Sequence, residues 1–214
     1  MNTINTKALS DYIADHITKQ IISGELKPGQ KLIEHTYATE YGTSRAPVRE
    51  AIYLLTTEGL VERIPRKGAI VREYKRNEIF DILKIRNMLE NMAMERIREH
   101  GVNKEIIEKM KELLIEMKEE KDVHAYTQLN HLFHSALIDM SDSGVIKDMY
   151  ARLGKPLLTI QNFSFSDEGN IEKSVKEHEM IVLGLVDNNI KSVIKVLSYH
   201  NDDVVKNVSK KLDA

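Results

Sequence analysis

Three histidines and an asparagine are spaced so that they can meet inside a helical structure. His178 lies three residues after Val175 and four before Val182, on a stripe shared with Ile171 and Leu185. A period near 3.6 turns that stripe, and the imidazole with it, into the core. His200 follows Leu197 by three and precedes Val204 by four, at the margin of the line Ile190, Val193, Leu197 and Val208. His134 shares a face with Asn130, four residues earlier, and Leu137, three later. A single inward histidine is ordinarily a hydrogen-bonded core residue, and that reading stays open for each. Three on three helices would cost about 1–3 kcal/mol for every unsatisfied group, so a shared divalent cation becomes a favourable partner. Neutral imidazoles with an oxygen donor suit zinc, nickel or a related ion, and the Asn130 amide carbonyl is the candidate oxygen. His16, His35, His100, His124 and His131 have no comparable spacing and read as surface or capping residues.

Two further groups could bind ligands. Arg86 lies four after Ile82 and three before Leu89, inside the apolar stripe of its helix. A buried guanidinium requires a counter-ion; Glu90, one turn on, can supply it, and the alternative is that Arg86 clamps the carboxylate of a small effector. Arg45 and Arg49 are four apart on the polar side of another helix, with Tyr53 and Thr56 continuing that side. Their planar forks suit guanine edges or phosphates, and Ser44 with the first backbone amides offers donors to a phosphate.

Positioning these groups requires two kinds of architecture. Before about residue 76 the segments are short, punctuated by Gly24, Gly29, Gly42, Gly59 and Gly68. Leu9, Ile13, Ile17 and Ile21 form one amphipathic helix stopping at Ser23-Gly24, and Leu26 to Gly29 reads as a turn. A second helix runs from about 34 to 41 and ends at Gly42. The third begins at Ser44, a residue able to cap it, tolerates Pro47 in its first turn, and presents Val48, Ala51, Ile52 and Leu55 on one face. Residues 60–64 and 69–72 then read as a two-stranded hairpin turned by Pro65-Arg66-Lys67-Gly68. Helix, turn, helix and wing is a shape that inserts a helix into the major groove. From Asn77 the pattern changes to helices expected at about 77–99, 103–121, 123–141, 144–163, 171–188 and 190–211, an antiparallel bundle whose sites form between facing helices. The fold class is therefore mainly α. The charge-rich helix from Lys104 to Lys121, with Ile107, Met110, Leu114 and Met117 along its inner line, reads as a solvated outer helix.

Composition sets limits around this picture. The 214 residues are 42% hydrophobic and 30% charged, with no Cys and a net charge of −2. No cysteine means no disulfide scaffold, thiolate metal site or cysteine nucleophile, so any metal site must use nitrogen and oxygen. No run approaches a membrane span and Met1 to Gly24 lacks a signal-peptide pattern, so a cytoplasmic protein without membrane attachment is expected. The near-neutral charge conceals an asymmetry: residues 1–76 carry 12 Lys and Arg against 9 Asp and Glu, whereas residues 77–214 carry 19 against 24.

The stretches Ile21 to Leu32, Gly42-Thr43-Ser44-Arg45-Ala46-Pro47-Val48-Arg49-Glu50-Ala51-Ile52 and Glu58-Gly59-Leu60-Val61 resemble the winged helix-turn-helix of GntR-type bacterial transcription regulators over residues 9–72. The resemblance implies DNA contacts by Ser44, Arg45 and Arg49 and a minor-groove approach by the wing at Gly68, with Lys67 adding charge at the tip. Thr43 and Tyr37 replace the usual Val and Leu, and Thr36 stands where some branches carry another DNA-contacting Arg. Asn130-His131-Leu132-Phe133-His134, Glu177-His178-Glu179-Met180-Ile181-Val182 and Leu197-Ser198-Tyr199-His200 are similar to the FCD effector domain of the FadR branch, over about 78–211. That second resemblance implies a divalent metal held by Asn130, His134, His178 and His200 at the floor of an effector cavity, small organic acids as effectors, and Arg86 as an effector ligand. Asn130 stands where Asp is commoner, which removes one negative charge from the site.

The expected organisation is a DNA-binding domain over 1–72, a linker over 73–77 and an effector-binding, dimerising domain over 78–214. The expected function is a ligand-responsive regulator, a repressor acting as a homodimer on double-stranded operator DNA. A metal sensor is a narrower version of the same reading. A metal-dependent enzyme using the three-histidine site is the alternative, although Glu177 and Glu179 turn about 100° away from His178 along the helix and no nucleophile elbow, phosphate loop or dinucleotide fingerprint is present.

Overall fold

A computed structural model describes residues 6–167 and 169–213. Residues 1–5 of the first expected domain, residue 214 of the last, and Glu168 within the expected break at 166–169 lie outside the described residues. The chain divides into two compact units after Tyr74.

The first unit comprises α1 (Thr6–Ile22), β1 (Lys31–Leu32), α2 (Glu34–Glu40), α3 (Arg45–Thr57), β2 (Val61–Ile64) and β3 (Gly68–Val71). Ile13 and Ile17 of α1 and Val48, Ala51, Ile52 and Leu55 of α3 are fully buried, and their helices pack together around this line. Between α2 and α3 the chain reverses at Gly42, whose φ of +58° is left-handed, and the Thr43 N–H donates to the Ala38 carbonyl. Ser44 occupies the cap position of α3 in extended backbone, but its hydroxyl makes no capping bond. The expected two-stranded wing is a three-stranded antiparallel sheet of order β1-β3-β2, with Lys31 opposite Ile70 and Leu32 opposite Ala69. A two-residue strand is too short to display alternation; it forms because Leu32 buries its side chain in the core.

The second unit is helical throughout its described length: α4 (Arg76–His100), α5 (Lys104–Glu119), α6 (Val123–Asp139), α7 (Gly144–Phe165), α8 (Asn170–Val186) and α9 (Ile190–Asp213). Arg76 and Asn77, read from sequence as linker, form the first turn of α4. Side-chain caps set several starts: Asn103 accepts from the Glu105 and Ile106 amides and Asp122 from that of Ala125. Arg76 pairs with Asp213 at 2.6 Å, joining the start of α4 to the end of α9. On α5, Ile107, Met110, Leu114 and Met117 face inward against α6 and α8, as their spacing requires. Gly184 lets α8 lie against α9, since a Cβ there would stand 2.6 Å from Val193 Cγ2. No described helix is long and apolar enough to cross a membrane.

Candidate nucleic-acid interface and buried histidine centre

In the first unit, Ser44, Arg45 and Arg49 are exposed at the start of α3, and Lys67 and Gly68 are exposed at the wing tip. The uncapped Ser44 hydroxyl remains available to an external acceptor. Arg49 is not free in solution: its Nε and Nη2 donate to the Glu34 carboxylate at 3.0–3.3 Å, and Arg63 approaches the same carboxylate at 4.0 Å. The Arg49 bond and the neighbouring cations lower the Glu34 pKa. A groove of about 570 Å³ between β1, α2 and the wing is lined by Lys31, Glu34, Arg63, Arg66, Lys67 and Gly68. Four cations against one acid give it the sign of a polyanion's partner. Arg66 adopts a left-handed φ of +66°, a conformation that costs a side-chain-bearing residue about 1–3 kcal/mol.

The second unit buries its polar groups. His134 on α6, His178 on α8 and His200 on α9 are at most 1% exposed. Each offers a ligand nitrogen, and these lie within 4.8 Å of one another. His134 Nε2 stands 3.2 Å from both His178 Nε2 and His200 Nε2. Nitrogens bound about 2.1 Å from one ion stand roughly 3.0–3.4 Å apart, so the two 3.2 Å spacings about His134 suit a shared ion.

Carboxylates set the orientation of two of these rings. His200 Nδ1 donates to Glu177 Oε2 at 2.8 Å, and His134 Nδ1 lies 3.1 Å from Glu90 Oε1, an ion-pair approach whose angle falls short of a hydrogen bond. A carboxylate only accepts, so both contacts favour the proton on Nδ1 and leave Nε2 lone pairs pointing at one another. Only Arg86 Nη2, at 2.9 Å from His134 Nε2, meets those lone pairs from outside the ring cluster among the described residues.

Arg86 and Glu90 do form the buried pair that their spacing allows, Nε to Oε1 at 2.8 Å. Tyr150 also donates to Glu90 Oε1, and Asn201 to Oε2 at 2.8 Å. Burial alone would raise the Glu90 pKa, but Arg86, His134 and these bonds hold it far below the usual carboxylate range. Burial lowers His134 to about 3, offset only partly by Glu90. Burial and the two neighbouring imidazoles place His178 well below its ordinary value. Both rings are therefore neutral, the state a metal requires. Asn130, fully buried one turn before His134, donates to Gln161 at 3.4 Å while its carbonyl oxygen lacks a partner, as does His178 Nδ1 among the described residues; Arg86 Nη1 makes no well-formed bond, with the Tyr150 hydroxyl as the guanidinium's neighbour.

Three features escaped the sequence reading. Glu177 does turn away from His178, yet it reaches His200 on the adjacent helix. His131 is half-buried rather than at the surface: its ring stacks on Tyr150 at 5.9 Å and burial lowers its pKa to about 4. The available signal was Gly154, where a Cβ would stand 3.1 Å from His131 Nε2. His16 bonds the Tyr41 hydroxyl, a contact between segments too far apart for spacing to reveal.

A winged helix-turn-helix joined to a helical bundle with a polar centre defines a DNA-binding regulator with a ligand-sensing domain. Residues 9–71 match the family described as bacterial regulatory proteins, gntR family, and residues 81–202 match the FCD domain. The chain belongs to the GntR family of bacterial transcription regulators, in its FCD-containing branch. It is 28% identical to the uncharacterized HTH-type transcriptional regulator YdhC of Bacillus subtilis, covering 88% of this chain and 86% of that one. It is 27% identical to the gluconate operon transcriptional repressor of Bacillus licheniformis, over 90% and 82%. The solved structure of Escherichia coli McbR/YncC shares the fold, with a TM-score of 0.73 at 20% identity over 95% of this chain and 98% of that one. The chain is a transcriptional regulator; the metal-dependent enzyme alternative finds no support, since these relatives carry regulators' names.

Proposed function

We propose that this protein is a cytoplasmic, homodimeric repressor whose operator affinity is set by a small organic acid bound at a divalent metal, zinc or nickel, in the second unit. Ser44, Arg45, Arg49, Lys67 and Gly68 contact the operator, α3 entering the major groove and the wing tip at Gly68 approaching the minor groove. Repression accords with the gluconate operon repressors among the relatives. Ile85, Met88 and Met92 repeat along one exposed face of α4 and supply an apolar surface for a second copy.

His134, His178 and His200 hold the ion, with the Asn130 carbonyl as the oxygen donor. The observation that carries this reading is the convergence of Nε2 atoms at 3.2 Å, with two Nδ1 positions turned to carboxylates. The unpartnered Asn130 carbonyl, buried one helical turn from His134, supports its place in the set. A bound divalent ion supplies a Lewis-acid contact for a carboxylate oxygen. Arg86 supplies the matching cation, and Glu90, Tyr150 and Asn201 fix its position. An acid that binds one conformation of the dimer better than the other shifts the DNA-competent population by that difference.

Elemental analysis of protein purified without chelator tests the centre: about one zinc or nickel per chain is expected, and metal-free protein that takes up neither ion on addition overturns the assignment. Selection from a library of genomic DNA fragments tests the reader, with enrichment of a palindromic site expected; no enrichment over bulk DNA overturns operator binding.

A further inference from the structure

We infer that Arg86 and the metal are alternative partners of one lone pair, that of His134 Nε2, so that loading the centre releases the Arg86 fork to a carboxylate and the two ligands bind in order. The inference rests on the metal reading above and concerns how that site is regulated. An imidazole Nε2 carries one lone pair in the ring plane. Arg86 Nη2 takes it at 2.9 Å, and a cation that cannot ligate a metal thereby caps the nitrogen on which the metal would sit. The pivot for release is present. Arg86 Nε is bonded to Glu90 Oε1 at 2.8 Å, and that bond does not involve His134. Nη1 is buried and makes no well-formed hydrogen bond, with the Tyr150 hydroxyl beside the guanidinium, and Nη1 with a freed Nη2 forms the outer edge of the guanidinium, which binds a carboxylate by two parallel bonds. In the capped state only half of that edge is available. Arg86 is 1% exposed, so bulk water does not compete for the contact it makes in the capped state. Metal and acid are then positively coupled through one side chain, and the coupling is reciprocal.

The test uses full-length protein stripped with chelator, zinc titrated against a chromophoric chelator, and acetate as the carboxylate probe. Wild type should bind zinc more tightly with acetate present. Arg86→Lys keeps a cation opposite Glu90 but cannot reach both Glu90 and His134. Its zinc affinity should rise about tenfold, the equivalent of one hydrogen bond from a charged donor, and the acetate effect should vanish. A readout that needs no variant guards against misfolding. In wild-type protein labelled with ¹⁵N-arginine, the Arg86 Nη protons should exchange faster after zinc is added and slow again with acetate. Zinc affinity unchanged in Arg86→Lys, or Arg86 signals unmoved by bound zinc, overturns the inference and leaves the metal centre standing. Wild type that binds no zinc overturns the metal reading itself.

Discussion

Arg49 and Arg86 are each held by a glutamate through short, directed bonds, yet one pair lies in solvent and the other in the core. The Arg49–Glu34 side chains are 61% and 29% exposed; those of Arg86 and Glu90 are 1% and 0%. In water such a pair has little net strength and can be exchanged for another partner. In a core, losing one member leaves an uncompensated charge, at a cost of about 3–5 kcal/mol. Of the fourteen buried polar residues among those described, only Ser10 and Thr18 belong to the first unit. The reading unit therefore keeps its charges where a polyanion can take them over. The sensing unit buries one pair, Arg86 and Glu90, where a ligand must enter the protein to change it.

Acid should separate the two units most strongly. His131 and His134 fall to about 4 and about 3, and His178 lies well below its ordinary value, each chiefly through burial. A folded pKa below the unfolded one, near 6.5, means that the unfolded chain binds more protons as the pH drops. Stability is thus complete above about pH 6.5 and is lost below it, by about 1.4 kcal/mol per pH unit for each such histidine. Hydrogen exchange on chelated protein at pH 5 and pH 7, corrected for intrinsic rates, should show protection falling in α6 to α9 while α1 to α3 keep theirs. Equal loss in both units would erase the contrast. At neutral pH, His178→Ala should weaken zinc binding by more than about 100-fold, exceeding what loss of an outer-shell partner causes, as read by competition with a chelator.

The corresponding substitution in the reading unit has a different signature. Arg49→Ala should lower affinity for the selected operator about 10–100-fold, the discrimination carried by one bidentate base contact. Its melting temperature should match wild type because the side chain lies in solvent. Titration of the variant against operator and scrambled DNA at fixed salt checks this; a variant that melts early would place Arg49 among the groups that hold the fold.

Residues that act along one helix were the legible ones. His178, His200 and Arg86 sit inward because their neighbours at three and four positions are apolar, and Glu90 pairs with Arg86 one turn on, as spacing alone allows. The helix boundaries were readable for a related reason: caps such as Asn103 and Asp122 act on amides two or three residues away. What remained hidden runs between elements. Glu177 turns away from His178 by the geometry of its own helix, yet serves His200 because Gly184 lets α8 and α9 approach closely, and His131 meets Tyr150 across α6 and α7. Glu177→Gln should weaken zinc binding about tenfold through His200 orientation, and an unchanged affinity would mean that the ring is held by packing alone.

The smallest expected effect is the most informative about the exposed pair. Glu34 sits at the start of α2, where its carboxylate orients Arg49 and stands in the basic groove beside the wing. If the acid serves only to offset positive charge, Glu34→Gln should raise affinity for operator and scrambled DNA alike, because one repulsive charge near the phosphates is gone. If it holds the Arg49 fork in the geometry that reads a base, scrambled DNA should still gain while the operator gains less, and their ratio should narrow a few-fold. The second outcome is expected, since Nε and Nη2 of Arg49 both bond Glu34 and a neutral amide cannot accept that pair as a carboxylate does. Titrations with both DNAs over a range of salt separate the cases. A ratio equal to that of wild type at every salt concentration would make Glu34 a charge and not a brace, and the exposed pair would then share only its residue types with the buried one.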